Sequence, residues 1–185
     1  MVGEDVLITG AGPIGLMSIA ICNFVGARNV VITDKNKYRL ELAKEMGASK
    51  AIDITKYSIS EFYPQLNMTS GFDIGLEMSG NPKAFSSMLE HMYHGANIAL
   101  LGLLPDSTKI NWDNIIFKGC LQVLVHNCNS QEVGPRGTFE ACAYLDHPIC
   151  HFSPILVGYL VTEKWVLNSC STVVHVVSLI VDAFN

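Results

Sequence analysis

Gly10-Ala-Gly12-Pro13-Ile14-Gly15 closes one apolar run and opens another. Before it stands Val6-Leu-Ile-Thr, the continuous apolar pattern of a buried parallel strand. After it, Ile14, Met17, Ile21 and Val25 recur at helical spacing up to Gly26, which suits a C-terminal cap. A glycine hexapeptide of this kind is common in turns, and the strand before it and helix after it give it chemical content. The first glycine permits the tight turn, the second lets backbone approach a pyrophosphate, and the third lets the helix pack on the strand. Pro13 suits the first helical turn, whose N–H groups and positive dipole end favour an anion. Gly10, Gly12 and Gly15, with Pro13 among them, are therefore the expected cradle of a dinucleotide phosphate.

Asp34 ends the next apolar run, Asn29-Val-Val-Ile-Thr-Asp34, 19 residues beyond Gly15. An acid there accepts hydrogen bonds from an adenosine ribose and repels a 2′-phosphate. The same residue type also caps helices, and the glycine motif upstream favours the ribose. Arg39 lies one turn further on, placed either over the adenine, in support of Asp34, or simply in solvent.

The alternation continues. The pattern predicts helix over Lys37–Met46, strand over Lys50–Ile54, and a helix from the capping-box spacing Ser58-Ile-Ser-Glu61 to about Asn67, distorted by Pro64. Strand Phe72–Met78, helix Pro82–Tyr93 and strand Asn97–Leu103 follow, with a sixth strand expected over Ile115–Val125. Strands separated by helices imply right-handed crossovers, an α/β class and a doubly wound parallel sheet. Met78-Ser-Gly80 and Leu101-Gly102-Leu103 end strands four and five, where such a sheet places its ligand.

Composition narrows the function classes. The 185 residues carry 12 Lys+Arg against 17 Asp+Glu, net −5, which argues against a nucleic-acid or anionic-membrane surface. Six cysteines are too sparse for a disulfide scaffold, and no secretory signal precedes the first strand, so a cytoplasmic location is expected. Residues 1–118 hold 22 charged side chains, whereas the 67 residues 119–185 hold 7 and five of the six cysteines. The character of the chain changes at Gly119.

Other constellations carry less. His91 and His94 are three apart on an expected helix end, where imidazole complements the dipole more readily than it forms a metal pair. Glu77, within strand four, reads as a strand-end carboxylate in preference to a buried acid. His147-Pro-Ile-Cys150-His151, with Cys128 and Cys142 upstream, lacks the paired spacing of a zinc cluster. Trp165–Val181 has no charged residue but is too short and polar for a membrane span. No tyrosine has a lysine four residues later, which removes the short-chain reductase pair.

Gly3-Glu-Asp-Val-Leu-Ile-Thr-Gly-Ala-Gly-Pro-Ile-Gly15, Gly26-Ala-Arg-Asn-Val-Val-Ile-Thr-Asp34, Tyr38-Arg-Leu-Glu-Leu-Ala43 and Gly71-Phe-Asp-Ile-Gly-Leu-Glu-Met-Ser-Gly80 together resemble one family closely. It is the zinc-dependent, medium-chain L-threonine 3-dehydrogenases, which are alcohol dehydrogenase-like. The likeness runs from about Val2 to Gly119. It implies a Rossmann domain that binds NAD within an oxidoreductase converting L-threonine to 2-amino-3-oxobutanoate. Carried over residue by residue, it implies NAD contacts at Ile14, Asp34 and Arg39, and in the turn Leu101-Gly102-Leu103.

The family also has a catalytic domain ahead of this segment, which supplies zinc ligands and proton-relay residues. Those ligands are not expected here, and neither catalytic nor metal residues are assigned. After Phe117-Lys118-Gly119 the family continues with a glycine-tyrosine-glycine strand end at the nicotinamide, where this chain has Cys120-Leu-Gln-Val-Leu-Val-His126. The expected organisation is thus an NAD-binding domain over 1–119 and a tail over 120–185 that is unlike the family. An out-of-frame tail is one reading and a diverged one the other. Two functions stay open, the cofactor half of a dehydrogenase that meets L-threonine only with a catalytic domain, or a non-catalytic nucleotide-binding fragment or degraded gene product. Self-association into a homo-oligomer is left open as well.

Overall fold

The computed structural model describes residues 3–119 and the backbone of residues 122–125. Six strands form one parallel sheet: β1 (Asp5–Thr9), β2 (Asn29–Asp34), β3 (Lys50–Asp53), β4 (Phe72–Glu77), β5 (Met92–Leu100) and β6 (Gln122–Val125), in the order β3-β2-β1-β4-β5-β6. Helices α1 (Pro13–Val25), α2 (Lys37–Glu45), α3 (Pro82–His91) and α4 (Trp112–Lys118) fall between them. This is the doubly wound α/β arrangement, Rossmann-like, that the alternation predicts.

Both faces of the sheet are covered, which explains the unbroken apolar runs. Val6 and Ile8 of β1 pack with Val30 and Ile32 of β2 beneath α1, against Leu16, Ile19 and Cys22. Leu7 and Val31, one residue out of phase, face the other way among Phe85, Met88 and Leu89 of α3. At the start of the sheet the buried Asp5 carboxylate receives Arg28 and, at 2.8 Å, the Asn29 amide, which ties β1 to β2.

Three elements depart from the sequence pattern. Residues 58–67 form two 3-10 turns, Ile59–Phe62 and Pro64–Leu66, instead of a helix. Glu61 does reach back to the Ser58 amide at 2.7 Å, but Pro64 has no N–H with which to continue a ladder. Strand β5 begins at Met92, directly where α3 stops at His91, so His94 lies on a strand and not beside His91 on a helix. The strand expected over Ile115–Val125 is helix α4 followed by the short β6. Caps decide this: Asn111 Oδ1 accepts the Asp113 amide at 3.1 Å, and Gly119 closes the helix in the left-handed region. Lys118, in its last turn, donates to the carbonyls of Leu89, Glu90 and Met92 and pins α4 to the end of α3.

Candidate cofactor-binding site

The chain leaves β1 toward β2 on one side of the sheet and enters β4 on the other, so the crevice opens at the C-terminal ends of β1 and β4. Gly10 to Gly15 turn there. The Gly10 amide donates to the Thr33 carbonyl at 2.8 Å, and its positive φ of 94° carries the chain sharply into α1. A Cβ on Gly15 would stand 2.0 Å from the Gly10 carbonyl oxygen, so helix and loop touch backbone to backbone. At Gly12 a Cβ would meet nothing within 4 Å. That residue begins α1 with no side-chain cap and no acid in the first turn. The first-turn amides, Ile14 and Gly15 among them, have no intrahelical acceptor, and this open, uncapped end fits a phosphate.

Asp34 joins the loop from β2. Its Oδ2 accepts the Ala11 amide at 2.7 Å, and its Oδ1 accepts the amides of Lys35 and Asn36 at 2.7 and 2.8 Å. The cap of α2 is Asn36, which accepts the Arg39 amide at 3.3 Å. Asp34 therefore holds the glycine loop and the following turn in one geometry while remaining half-buried beside the crevice. Arg39 sits in the first turn of α2, partly exposed.

Across the crevice, Leu101 and Gly102 both donate to the Glu77 carbonyl, at 2.9 and 2.8 Å, and Leu103 is exposed. The turns after β1, β4 and β5 thus converge, bringing Gly10–Gly15, Asp34 and Leu101–Leu103 to one end of the sheet. The sequence pattern favours an ordinary strand-end carboxylate for Glu77, and its burial corrects that reading. It is wholly buried at the end of β4, and the available signal is an acid within an otherwise apolar central strand.

Zinc does not fit the described residues. Among them no three His, Cys, Asp or Glu side chains come together as a metal site. His91 Nδ1 lies 2.7 Å from the Ser87 carbonyl, and Cys22 is enclosed on the core face of α1. The His147–His151 cluster, the Trp165–Val181 segment and the other five cysteines lie outside the described residues. No helix among the described residues is long and apolar enough to cross a membrane.

Burial pushes the Cys22 thiol up to about 12. An unfolded chain ionises that thiol near 8.5, so its contribution to stability is intact below that pH and is lost as pH climbs toward about 12. Cys22→Ala should remove up to about 1.4 kcal/mol per pH unit from the slope of unfolding free energy over that interval. Tyr63, also raised to about 12 by burial, leaves a residual slope above about pH 10. Urea titrations of both proteins between pH 8 and 11 measure the difference, and parallel curves would count against the assignment.

A curated L-threonine 3-dehydrogenase from Paraburkholderia phytofirmans is 62% identical over 119 residues, 64% of this chain and 35% of that protein. The chain spans about a third of the length of such relatives. Among solved structures, a putative zinc-binding dehydrogenase from Sinorhizobium meliloti bound to NADP is 26% identical with a TM-score of 0.60, covering 67% of this chain and 37% of its own. A protein from Escherichia coli described as a short chain alcohol dehydrogenase, complexed with NADH, is 25% identical with a TM-score of 0.60, covering 68% of this chain and 36% of its own. Residues 13–137 match the model of the zinc-binding dehydrogenases, a span that takes in the end of the glycine loop, the acid that ends β2 and strands β2 to β6, and the chain belongs to that family.

Proposed function

We propose that the crevice binds NAD in preference to NADP, and that the segment serves an enzyme oxidising L-threonine to 2-amino-3-oxobutanoate. The observation that carries the cofactor reading is the 2.7 Å bond between Asp34 and the Ala11 amide, which places a carboxylate against the phosphate loop. Bound NAD would supply the acceptor for a hydride. The chain's own part is to hold it. The amides of Ile14 and Gly15, with Pro13 and Gly12 leaving room, face the pyrophosphate. Asp34 takes the adenosine ribose hydroxyls, with Arg39 beside it on α2. The turn Leu101-Gly102-Leu103 borders the nicotinamide half. The likeness to relatives named L-threonine 3-dehydrogenase supports the substrate reading.

A 2′-phosphate near Asp34 brings like charges to about 4 Å, a repulsion on the order of 4 kcal/mol at an effective dielectric of 20. Solvent and side-chain movement reduce it, yet a tenfold preference needs only about 1.4 kcal/mol. Calorimetry with NADH and NADPH is expected to show at least that preference, and Asp34→Ala to erase it. Equal or tighter NADPH binding by the unaltered chain would sink the assignment. For the substrate, residues 3–119 exchanged into the Paraburkholderia relative should leave NADH formation from L-threonine in place. A folded chimera that binds NADH but ignores threonine would overturn that part.

A further inference from the structure

Glu77 pairs in register with Thr9 at the point where the chain's two halves meet. Its side chain is 0% exposed, yet it is surrounded by donors from the turns that form the crevice. Oε1 accepts the Ser79 amide at 2.9 Å, the Thr9 hydroxyl at 3.3 Å and the Ser79 hydroxyl; Oε2 accepts the Gly80 amide at 3.1 Å. The Ser79 hydroxyl in turn accepts the Asn81 amide at 3.1 Å, and Asn81 caps α3. From the other side, a Cβ on Gly102 would come within 2.2 Å of both Glu77 Oε2 and the Gly80 nitrogen. A Cβ on Gly10 would stand 2.9 Å from Ser79 Cβ. The turns after β1, β4 and β5 are therefore packed around one carboxylate.

A buried carboxylate is a poor device for stability alone, since apolar packing usually serves as well or better. What it supplies is a fixed spacing between groups of different elements. We propose that Glu77 is a positioning residue that sets the width of the crevice on its β4–β5 side, acting through Thr9, Ser79, Gly80 and Gly102 and without touching a ligand. This rests on the reading of the crevice as a dinucleotide site. In a doubly wound sheet the adenosine half lies over β1–β3 and the other half over β4–β6. Loss of the carboxylate should loosen the second and spare the first.

Glu77→Gln keeps the shape but turns one acceptor into an NH2 that must face an N–H or O–H donor, so the turn after β4 has to move. In the full 185-residue chain, E77Q is expected to weaken NADH binding by at least about tenfold while leaving 5′-AMP within about twofold, as befits hydrogen bonds to a charged group. Ser79 is exposed, so S79A removes one partner with little risk to folding; it should weaken NADH by about threefold to tenfold with the same sparing of AMP. Calorimetry of both ligands reads this directly. NADH affinity equal to that of the unaltered chain, or parallel losses of NADH and AMP as a mere scaffold role requires, would overturn the proposal. Should E77Q not fold, S79A decides between the same two outcomes. Should the unaltered chain bind no NADH, the dinucleotide reading fails by itself. Amide exchange at Gly80 and Gly102 then tests Glu77 independently: faster exchange in the variant supports the positioning role, and unchanged exchange overturns it.

Discussion

Gly15→Ala is expected to cost about a hundredfold in NADH affinity, or about 2.7 kcal/mol, and a further 1–3 kcal/mol of stability. The added methyl would fall 2.0 Å from the Gly10 carbonyl oxygen and 3.6 Å from Ile32 Cδ1. Neither side yields easily. Gly10 is bonded to Thr33, and Ile32 belongs to the core between β2 and α1. Helix α1 must therefore lift from the sheet, carrying Pro13 and Ile14 with it and drawing the Ala11 amide from Asp34. Gly12→Ala supplies the contrast. Its methyl meets nothing within 4 Å on an extended backbone, so stability should stay within about 0.5 kcal/mol. The same methyl fills the space through which a pyrophosphate would approach, so NADH should bind more weakly. Calorimetry and urea titration separate the two variants. A Gly12→Ala chain that binds NADH as before would place the phosphates elsewhere, and a Gly15→Ala chain with full stability would contradict the backbone contact.

That glycine loop is legible in the chain because every element around it is local. Val6–Thr9, Asn29–Asp34 and Phe72–Glu77 are apolar runs ended by glycine or an acid, while Gly26 closes α1 and Asn36 caps the start of α2. Where the pattern misleads, the deciding features are a proline, flanking caps or partners distant in sequence. Ile115-Ile116 suits a strand by its β-branched side chains, but Asn111, Gly119 and the reach of Lys118 to α3 fold it as a helix. Glu77 is the sharper case. Its carboxylate finds Thr9, 68 residues away, and its carbonyl finds Leu101, so its role exists only once β1, β4 and β5 lie side by side. Asp34 likewise shows its polarity in the sequence, while its bond to Ala11 requires the loop to fold back over β2.

The 185-residue polypeptide assayed alone with NAD, L-threonine and added zinc is expected to form no NADH above a protein-free blank. Zinc-assisted oxidation of a hydroxyl needs a metal held by about three protein ligands with one position open, and a base for the proton. Residues 3–119 offer the nitrogen and sulfur ligands Cys22, His91 and His94. Cys22 is enclosed on the core face of α1, and its thiol, raised to about 12, stays protonated at neutral pH. His91 ends α3, held at the Ser87 carbonyl. His94 stands near the start of β5, six residues before the strand ends at Leu100; at 3.3 Å per residue that is roughly 20 Å from the crevice. These three groups cannot converge on a hydroxyl beside the nicotinamide, and a misplacement of only about 1 Å already costs on the order of a hundredfold in rate. The assay carries its own counter-test. Turnover that a chelator abolishes would mean that residues 120–185 bring ligands to the crevice, and substituting Cys120, Cys128, Cys142, Cys150 and Cys170 in turn would then identify them.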